Sequence, residues 1–508
     1  MGNGVGGRAD CIAEYGESQV CCVHANALHV GAALIQVKVG NRHLGSTATT
    51  RKGHKMKSAS EADIASRLSV PVPRYTSYPT APHFHDGVGE ADYRDWLGQL
   101  PENEGLSLYI HIPFCDRMCW FCGCHTKQIN RYDPIPPYLS AVRKEIALLR
   151  EAIGFLPVLN RVHLGGGSPS MLRRDDLETL RSTIDTHFRL HENTEISIEI
   201  DPSDLSGEEF EAYQAFGVTR ASIGVQDFDE RVQKAINRPQ TFMQTAAVVE
   251  GLRGVGVRSL NIDALYGLPY QTEETVSRSI EQVRTLEPDR VALFGYAHVP
   301  WMKPNQKLIP EAALPDAPAR VRQAKVASDI LQDAGYLPIG MDHFALPRDS
   351  LAIAATEGRL RRNFQGYTDD PCATLLGVGT SSIGRVPAGY IQNETATGNY
   401  VRTVVSGRLP VSRGIELTDE DKLNADIIES LMCRYSFSIS ALRGDHGSLT
   451  DHIVSHIQNA LDADTDGLAD FDGDTFRIQP HGHGFVRTVA SWFDTRMKEK
   501  AARYSMAV

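Results

Sequence analysis

The sequence predicts an α/β protein whose core is a partial (β/α)6 barrel, flanked by an N-terminal arm and a mostly helical C-terminal domain. From residue 105 short apolar runs alternate with longer amphipathic stretches, and repeated strand–helix units form a parallel sheet with right-handed crossovers. Six strands are predicted, at 106–112, 161–164, 195–200, 220–225, 259–265 and 290–294. Helices are predicted between them, at 138–154, 175–188, 207–217, 241–254 and 273–286. Six units favour an open barrel over a closed eight-stranded one.

The segments around these units complete the predicted domain organisation. Residues 1–55 show no sustained period, and we expect an atypical extension, disordered or absent from a native protein that begins at Met56. Residues 56–104 form the arm, and 105–415 form a catalytic domain. Beyond residue 310 this domain is predicted to continue with a helix at 317–335 and an irregular stretch. Residues 416–508 are predicted to be mostly helical, with one hairpin at 470–476.

Composition narrows the classes of function. The chain has 508 residues, 42% of them hydrophobic and 23% charged, as in ordinary globular proteins. It contains no run of 18 apolar residues and does not start like a secretory signal, so we expect a cytoplasmic protein without a membrane span. The formal net charge of −11 disfavours general nucleic-acid binding, which requires a basic face.

Four of the nine cysteines fall within ten residues, at 115, 119, 122 and 124. Thiolates spaced C-x3-C-x2-C on one loop can each bind a different iron of a four-iron cluster, which leaves the fourth iron open. A structural zinc site is the alternative, with Cys124 or His125 as fourth ligand. Zinc modules usually contain a second Cys or His pair 12 to 20 residues away, and none is visible. The spacing therefore favours a [4Fe–4S] cluster on Cys115, Cys119 and Cys122.

Unusual residues follow the predicted strands at the point where each strand ends. Chemistry in parallel sheets gathers at these carboxyl ends. The residues are Cys115, the run from Gly165 to Ser168, Glu199, Asp201, Gln226, Asp263 and the run from Tyr296 to His298. Taken singly, each could be a turn, capping or solvated residue, and glycines are common in turns. Their coincidence predicts an active site at this edge.

These features resemble the radical S-adenosylmethionine superfamily. Within it, the run from Tyr109 to Cys115, together with Cys122-Gly-Cys124, is similar to oxygen-independent coproporphyrinogen III oxidases. Further blocks at 73–80, 224–228, 261–263, 340–344 and 362–368 are similar as well. The blocks occur in family order over about residues 70–508, and the resemblance does not include residues 1–55.

The resemblance implies a reaction and its cofactors. A reduced [4Fe–4S] cluster would cleave S-adenosylmethionine to a 5′-deoxyadenosyl radical, with two molecules of S-adenosylmethionine bound. The radical would remove a hydrogen atom from a propionate β-carbon of coproporphyrinogen III. Loss of carbon dioxide and an electron, on two rings, would give protoporphyrinogen IX. A reductant for the cluster and an electron acceptor are implied partners, and we expect a monomer that binds neither nucleic acid nor membrane.

The resemblance also implies roles for individual residues. Cofactor contacts are implied for Tyr109, Phe121, Gly166, Gly167, Ser168, Glu199, Gln226, Arg238, Asp263, Ala297 and Ile383. Catalytic roles are implied for Tyr109, His111, Cys124, Phe364 and Gln365. Ser168 stands where the family usually has Thr, and the hydroxyl is kept. By pattern alone Tyr109 could be a core aromatic, His111 a structural histidine and Cys124 a buried free thiol.

The implied substrate carries four propionates, which require cations. Arg74, Arg361 and Arg362 are candidates by motif position. The proline-punctuated segment at 71–80 is expected to fold over the substrate and exclude water.

Two other functions compete with the oxidase. A haem-binding chaperone of the same superfamily would lack the decarboxylation, but such relatives typically have Phe at the position of Cys124 and lack the blocks at 73–80 and 362–368. An RNA-modifying enzyme with a winged C-terminal module is disfavoured by the acidic net charge.

Overall fold

The computed structural model describes residues 67–68, 70–205 and 207–497. The predicted extension at 1–55, Met56 and the beginning of the arm lie outside the described residues. No described helix is both long enough and apolar enough to cross a membrane.

The strands are numbered along the described residues. They are β1 Leu106–Ile112, β2 Phe114–Cys115, β3 Lys127–Gln128, β4 Val158–Gly166, β5 Arg189–Ile200, β6 Arg220–Gln226, β7 Ser259–Tyr266, β8 Arg290–Gly295, β9 Leu337–Ile339, β10 His343–Ala345, β11 Arg361–Asn363, β12 Gly366–Thr368, β13 Leu375–Val378, β14 Ile383–Val386, β15 Gly389–Asn393, β16 Val411–Glu416, β17 Ser436–Ser438, β18 Ala469–Phe471 and β19 Thr475–Ile478.

The helices are numbered in the same way. They are α1 Glu90–Gly98, α2 Ile135–Ile153, α3 Arg174–His187, α4 Gly207–Phe216, α5 Glu230–Ala235, α6 Phe242–Gly254, α7 Glu273–Thr285, α8 Ala317–Asp333, α9 Ser350–Thr356, α10 Thr397–Val405, α11 Asp419–Arg434, α12 Ile439–His446, α13 Ile453–Ala463 and α14 Val486–Ser491.

All six predicted barrel strands form, as β1 and β4 to β8. They lie side by side in chain order, and every neighbouring pair is parallel. Helices α2, α3, α4, α6 and α7 connect them, as the alternation of short and long apolar stretches predicts. Because the strands are parallel, their carboxyl ends meet at one edge of the sheet, and the loops that follow them lie together.

The two faces of the sheet differ in polarity. In β6 the buried residues alternate with half-buried ones, so that Ala221 and Ile223 face the helices while Ser222 and Gln226 face the inside. In β7 Asp263 faces the inside in the same way. The apolar face and the helices form the main core, and the polar face lines a cavity of about 240 Å³.

The sheet extends beyond the six predicted strands to twelve. Strand β13 pairs in parallel with the outer side of β1, followed by the antiparallel strands β14, β15 and β16, while β10 and β9 continue antiparallel from β8. The predicted irregular stretch after the helix was therefore wrong in part. These strands are three to six residues long, and pairing with an existing edge stabilises them more than their own propensity does. Among the described strands, the end strands β16 and β9 do not pair with each other, so the barrel is open.

The C-terminal region has an apolar core of its own. Helices α11 to α14 surround a three-stranded antiparallel sheet in the order β17-β19-β18, and β18 and β19 form the predicted hairpin. Tyr75 and Tyr78 of the arm pack into this core. The Tyr75 hydroxyl donates to Asp494 Oδ2 (3.0 Å). The described part of the arm is therefore attached to the C-terminal region.

Candidate active site

The cysteine loop begins directly after β1 and is closed at its base. Cys115 lies in β2, which pairs in parallel with β3, and the Ile129 N–H donates to the Cys115 carbonyl (2.9 Å). Cys119 and Cys122 lie on the loop between these strands. Two-residue strands have little stability alone. The effect of this pairing is to hold the two ends of the loop together.

Side-chain amides from distant segments fix the backbone of the loop. Asn305 Nδ2 lies within hydrogen-bond distance of the carbonyls of Cys119 (3.2 Å) and Cys122 (3.0 Å). Gln306 donates to the Phe121 carbonyl (2.9 Å), and Asn237 donates to that of Met118 (2.9 Å). Sequence reasoning missed these three amides. The only signal was a polar, proline-containing turn, which is common in any loop.

Arg238 connects the cysteine loop to the strand ends. Its Nη1 lies 3.4 Å from Cys119 Sγ and 3.1 Å from Asp201 Oδ2, and its Nη2 donates to the Gly224 carbonyl (2.6 Å). Its Nε is buried without a partner in the described residues. A guanidinium beside a thiolate ligand stabilises negative charge on the sulfur.

The three thiolates of the loop are the donor set of a four-iron cluster. Among the described residues, no three His, Cys, Asp or Glu side chains converge on a point where one ion could bind them all. A four-iron cluster requires no such convergence, because its three thiolates bind three different irons. An added Cβ on Gly167 would lie 2.6 Å from the Phe114 carbonyl and 3.0 Å from Cys115 Sγ, so only glycine fits beside the first ligand.

A chain of aromatic and acidic side chains runs from β1 to β5. The Tyr109 hydroxyl is hydrogen-bonded to His111 Nδ1 (2.9 Å), and the Tyr109 ring stacks on His163 with centroids 5.7 Å apart. His163 Nε2 lies 3.3 Å from Glu199 Oε1. The Gly166 N–H donates to Glu199 Oε2 (2.9 Å). Four of the predicted site residues thus form one connected group, and His163 joins them although sequence reasoning did not include it.

The two carboxylates at the strand ends have different environments. Burial by itself would raise the pKa of Glu199, but hydrogen bonds from His163 and Gly166 hold it below its usual value. Burial and the charge of Glu199 raise the pKa of Asp263 to about 6, although Ser222 and Asn261 donate to it (3.1 and 2.7 Å). The site therefore contains one carboxylate held in its ionised form and one that is easily protonated.

Comparisons with known proteins agree with this geometry. A family model described as the radical SAM superfamily matches residues 109–283. The chain is 44% identical over 437 residues to an oxygen-independent coproporphyrinogen III oxidase from Bradyrhizobium diazoefficiens, which covers 86% of this chain and 97% of that protein. The chain belongs to the oxygen-independent coproporphyrinogen III oxidase family.

More distant members of the family match over a similar length. An oxygen-independent coproporphyrinogen III oxidase from Pseudomonas aeruginosa is 35% identical over 438 residues, 85% of this chain and 95% of that protein. The solved coproporphyrinogen III oxidase from Escherichia coli, described as a radical SAM enzyme, is 35% identical with a TM-score of 0.80, covering 84% of this chain and 98% of that one. The predicted fold class and family are confirmed, and the superfamily implies a [4Fe–4S] cluster and S-adenosylmethionine.

Four further predicted residues of this coproporphyrinogen oxidase family member lie on β6, on the β11–β12 hairpin and on β14. Gln226 ends β6 with a positive φ of 69°, a conformation that non-glycine residues rarely adopt. Phe364 and Gln365 form the tip of the β11–β12 hairpin, where Gln365 lines the barrel cavity. Phe364 packs edge-on against Tyr390 with centroids 5.8 Å apart, in a small apolar cluster that includes Ile383.

The three predicted substrate arginines do not lie together. Arg74 and Arg362 line one cavity, which Ala297 also lines. Arg361 instead pairs with Glu429, with Nε 3.1 Å from Oε1. The charge of Glu429 raises the pKa of Arg361. Neighbouring residues of a strand point to opposite faces, and Arg361 does not line the cavity that Arg74 and Arg362 share.

Proposed function

We propose that the protein catalyses the oxygen-independent oxidative decarboxylation of coproporphyrinogen III to protoporphyrinogen IX. The observation that carries this proposal is the match to relatives of that name over 86% of this chain and 97% of their own length, which extends beyond the barrel into the arm and the C-terminal region. Both regions contribute residues to the cavities at the strand ends, as Arg74 and Arg487 do. A match restricted to the barrel would support the radical chemistry alone.

Cys115, Cys119 and Cys122 would hold the cluster, and Arg238 would stabilise the charge on Cys119. When bound, the cluster and S-adenosylmethionine supply the radical that removes a hydrogen atom from a propionate β-carbon. The residues of the chain bind and orient the cofactor and the substrate. Gly166 and Gly167 let the backbone approach the cofactor, and Glu199, fixed by His163, is suited to accept hydrogen bonds from ribose hydroxyls.

We further propose that two molecules of S-adenosylmethionine bind. The implied contacts, from Gly166 to Ala297, follow the ends of strands β4 to β8, and Ile383 lies beyond β13 on the other side of β1. Equilibrium dialysis of the reconstituted enzyme is expected to give two per chain. A value of one would contradict this part of the proposal.

Cys124 is proposed as a working thiol that does not bind iron. It is exposed, its N–H donates to Cys122 Sγ (3.4 Å), and Lys303 Nζ donates to its carbonyl (3.0 Å). Its backbone is therefore fixed while its side chain remains accessible. Cys124→Ser should keep the visible spectrum of the cluster and lose most of the turnover. Loss of the spectrum would show that Cys124 binds iron.

The proposal includes a cytoplasmic monomer that takes an electron from a reductant and passes another to an acceptor. Light scattering coupled to gel filtration tests the oligomeric state, and a dimer would contradict it. Fractionation of cells that express the full chain tests the location.

Anaerobic turnover tests the function itself. The reconstituted enzyme, with dithionite, S-adenosylmethionine, coproporphyrinogen III and an electron acceptor, is expected to form protoporphyrinogen and 5′-deoxyadenosine. Cys119→Ala, which removes one cluster ligand, is the control and should form neither. Tight binding of haem without formation of protoporphyrinogen would favour the chaperone instead.

A further inference from the structure

A second cavity, of about 250 Å³, lies at the carboxyl end of β8. Its walls contain four guanidinium groups, from Arg74, Arg320, Arg362 and Arg487, and one carboxylate, from Asp342. The arginines come from the arm, α8, β11 and α14, so the fold gathers them from four separate segments. We call this space the arginine cavity.

Two of these guanidinium groups have few partners within the described residues. Arg320 forms no ion pair and donates no side-chain hydrogen bond there, and its Nε is buried without a partner. Arg362 leaves Nε and Nη1 buried without partners, and its Nη2 lies 3.9 Å from Asp342 Oδ2. Asp342 itself is already bonded to His343 Nδ1 (2.6 Å). A buried cation without a counter-charge is costly, so this cavity is suited to receive anions.

The guanidinium groups also repel one another. Burial, together with the charges of Arg74 and Arg362, lowers the pKa of Arg487 to about 10. Burial likewise lowers the pKa of Arg74, with Arg362 and Arg320 adding to the effect and Asp342 opposing it. A bound anion would relieve this repulsion.

The arginines are held in place before any ligand binds. Arg487 donates to the carbonyls of Pro73 (3.0 Å) and Val72 (2.5 Å), which fixes the backbone next to Arg74. Arg74 Nη2 donates to the Gly295 carbonyl (3.3 Å), and Arg362 lies over the ring of Tyr367 at 4.4 Å. Fixed donors lose little entropy when a carboxylate binds, and guanidinium is suited to two-point contact with it.

We propose that the arginine cavity binds propionate carboxylates that the reaction leaves intact. This inference rests on the proposed function for the identity of the substrate. The cavity adjoins the barrel interior, since Phe294 lines both. Decarboxylation removes negative charge from the reacting group, and guanidinium contacts would stabilise that group before reaction and so raise its barrier. The cavity therefore suits the carboxylates that stay, while the reacting propionate lies nearer the cluster.

Binding of a porphyrin tests the inference without turnover. The probe is coproporphyrin III, a fluorescent tetracarboxylate, with its tetramethyl ester as the uncharged counterpart, added to the reconstituted enzyme. Arg320→Gln should raise the Kd of the tetracarboxylate about tenfold or more and leave that of the ester unchanged. Arg278→Gln removes an exposed arginine of α7 that pairs with Glu274 and Asp229, and should change neither.

A second variant narrows the cavity without changing its charge. A Cβ at Gly295 would lie 3.1 Å from Arg320 Nη2 and 2.9 Å from the Tyr266 hydroxyl, so Gly295→Ala should also weaken binding of the tetracarboxylate. Thermal unfolding and the cluster spectrum verify that each variant is folded.

The outcomes separate the possible occupants. Unchanged binding of the tetracarboxylate in both variants would overturn the inference. A raised Kd for S-adenosylmethionine, with the tetracarboxylate unaffected, would overturn it too and assign the cavity to the methionine carboxylate of that cofactor. If the wild-type enzyme binds the porphyrin through Arg320 yet forms no protoporphyrinogen, the proposed function fails while the carboxylate site stands.

Discussion

Two groups of arginines lie along the barrel strands, and they differ in their counter-charges. Near the amino-terminal ends of the strands, Arg161, Arg220 and Arg290 form a paired network with four carboxylates, from Glu195, Asp349, Asp369 and Asp370. Arg161 Nη1 lies 2.6 Å from Glu195 Oε1, and Arg220 Nη2 lies 2.9 Å from Glu195 Oε2. At the carboxyl ends, four arginines and one carboxylate, that of Asp342, line the arginine cavity.

This difference separates the stabilising role of buried charge from its binding role. In the paired network each guanidinium lies against a carboxylate, so the charges are satisfied when the protein has folded and leave little capacity for a ligand. The arginine cavity, in contrast, can still bind an anion after the protein has folded. Buried cations without counter-charges lower the stability of the folded protein. Such a cost is typical of binding sites, where the cations are needed for a ligand.

The largest expected effect comes from breaking the paired network. Asp349→Asn keeps the N-cap of α9, where the carboxylate accepts from Leu351 N–H (2.8 Å), but leaves Arg290 and Arg220 without one counter-charge. The free energy of unfolding, measured with urea, should fall by about 3–5 kcal/mol. Arg278→Gln, which removes two ion pairs of an exposed arginine, with Glu274 and Asp229, should change it by less than about 1 kcal/mol. A loss below 1 kcal/mol for Asp349→Asn would show that the network contributes little to the fold.

A smaller effect is expected from Asp263, which faces another carboxylate instead of an arginine. Its pKa is about 6 in the folded protein, against an ordinary value of 3.8, so the folded state binds its proton more tightly. The contribution of protonated Asp263 to stability is therefore fully present below about pH 4, and it is lost as the pH rises through 6. Asp263→Asn should therefore gain stability relative to wild type between pH 5 and pH 8, by no more than about 3 kcal/mol. A pH-independent difference would contradict this environment.

Glu195 in the paired network should change the stability of the protein with pH in the opposite direction. Burial alone would raise its pKa, but the charges of Arg220 and Arg161 lower it below the ordinary value. Its contribution to stability is present above the unfolded pKa and is lost as the pH falls through the folded one. Urea unfolding of Glu195→Gln and wild type between pH 3 and pH 6 should show the difference shrinking toward low pH. A constant difference would count against an ionised, paired Glu195.

The smallest effect on stability is expected in the arginine cavity. Arg320→Gln removes a cation that repels its neighbours and has no ion pair in the described residues, so the free energy of unfolding should stay within about 1 kcal/mol of wild type. Binding of coproporphyrin III should nevertheless weaken. A loss as large as that of Asp349→Asn would place Arg320 in a stabilising network and remove the contrast between the two groups.

The sequence predicted most of the barrel and the cysteine loop because their signals are local. The spacing of Cys115, Cys119 and Cys122, and the polar residues directly after each strand, can be recognised within a few residues. Arg320 and Arg487 could not be predicted, since each is one arginine on an ordinary helix and only the tertiary fold brings it beside Arg74. The short strand β13 was missed because its pairing with β1 connects segments more than 260 residues apart.

The alternation of side chains along a strand could have separated two of the predicted substrate arginines. The sequence placed Arg361 and Arg362 together as candidates, although adjacent residues of a strand cannot share a face. Which of the two enters the cavity depends on the register of the β11–β12 hairpin and on Glu429 of α11, which binds Arg361. That choice requires the structure.

Release of carbon dioxide tests the central claim most directly. Coproporphyrinogen III labelled with ¹³C in its propionate carboxyls is incubated anaerobically with the reconstituted enzyme, dithionite, S-adenosylmethionine and an electron acceptor. We predict two equivalents of ¹³CO₂ for each protoporphyrinogen formed, and none when S-adenosylmethionine is omitted or when Cys119→Ala replaces the wild type. Formation of 5′-deoxyadenosine without any labelled carbon dioxide would contradict the account, because the radical would then act on something other than a propionate.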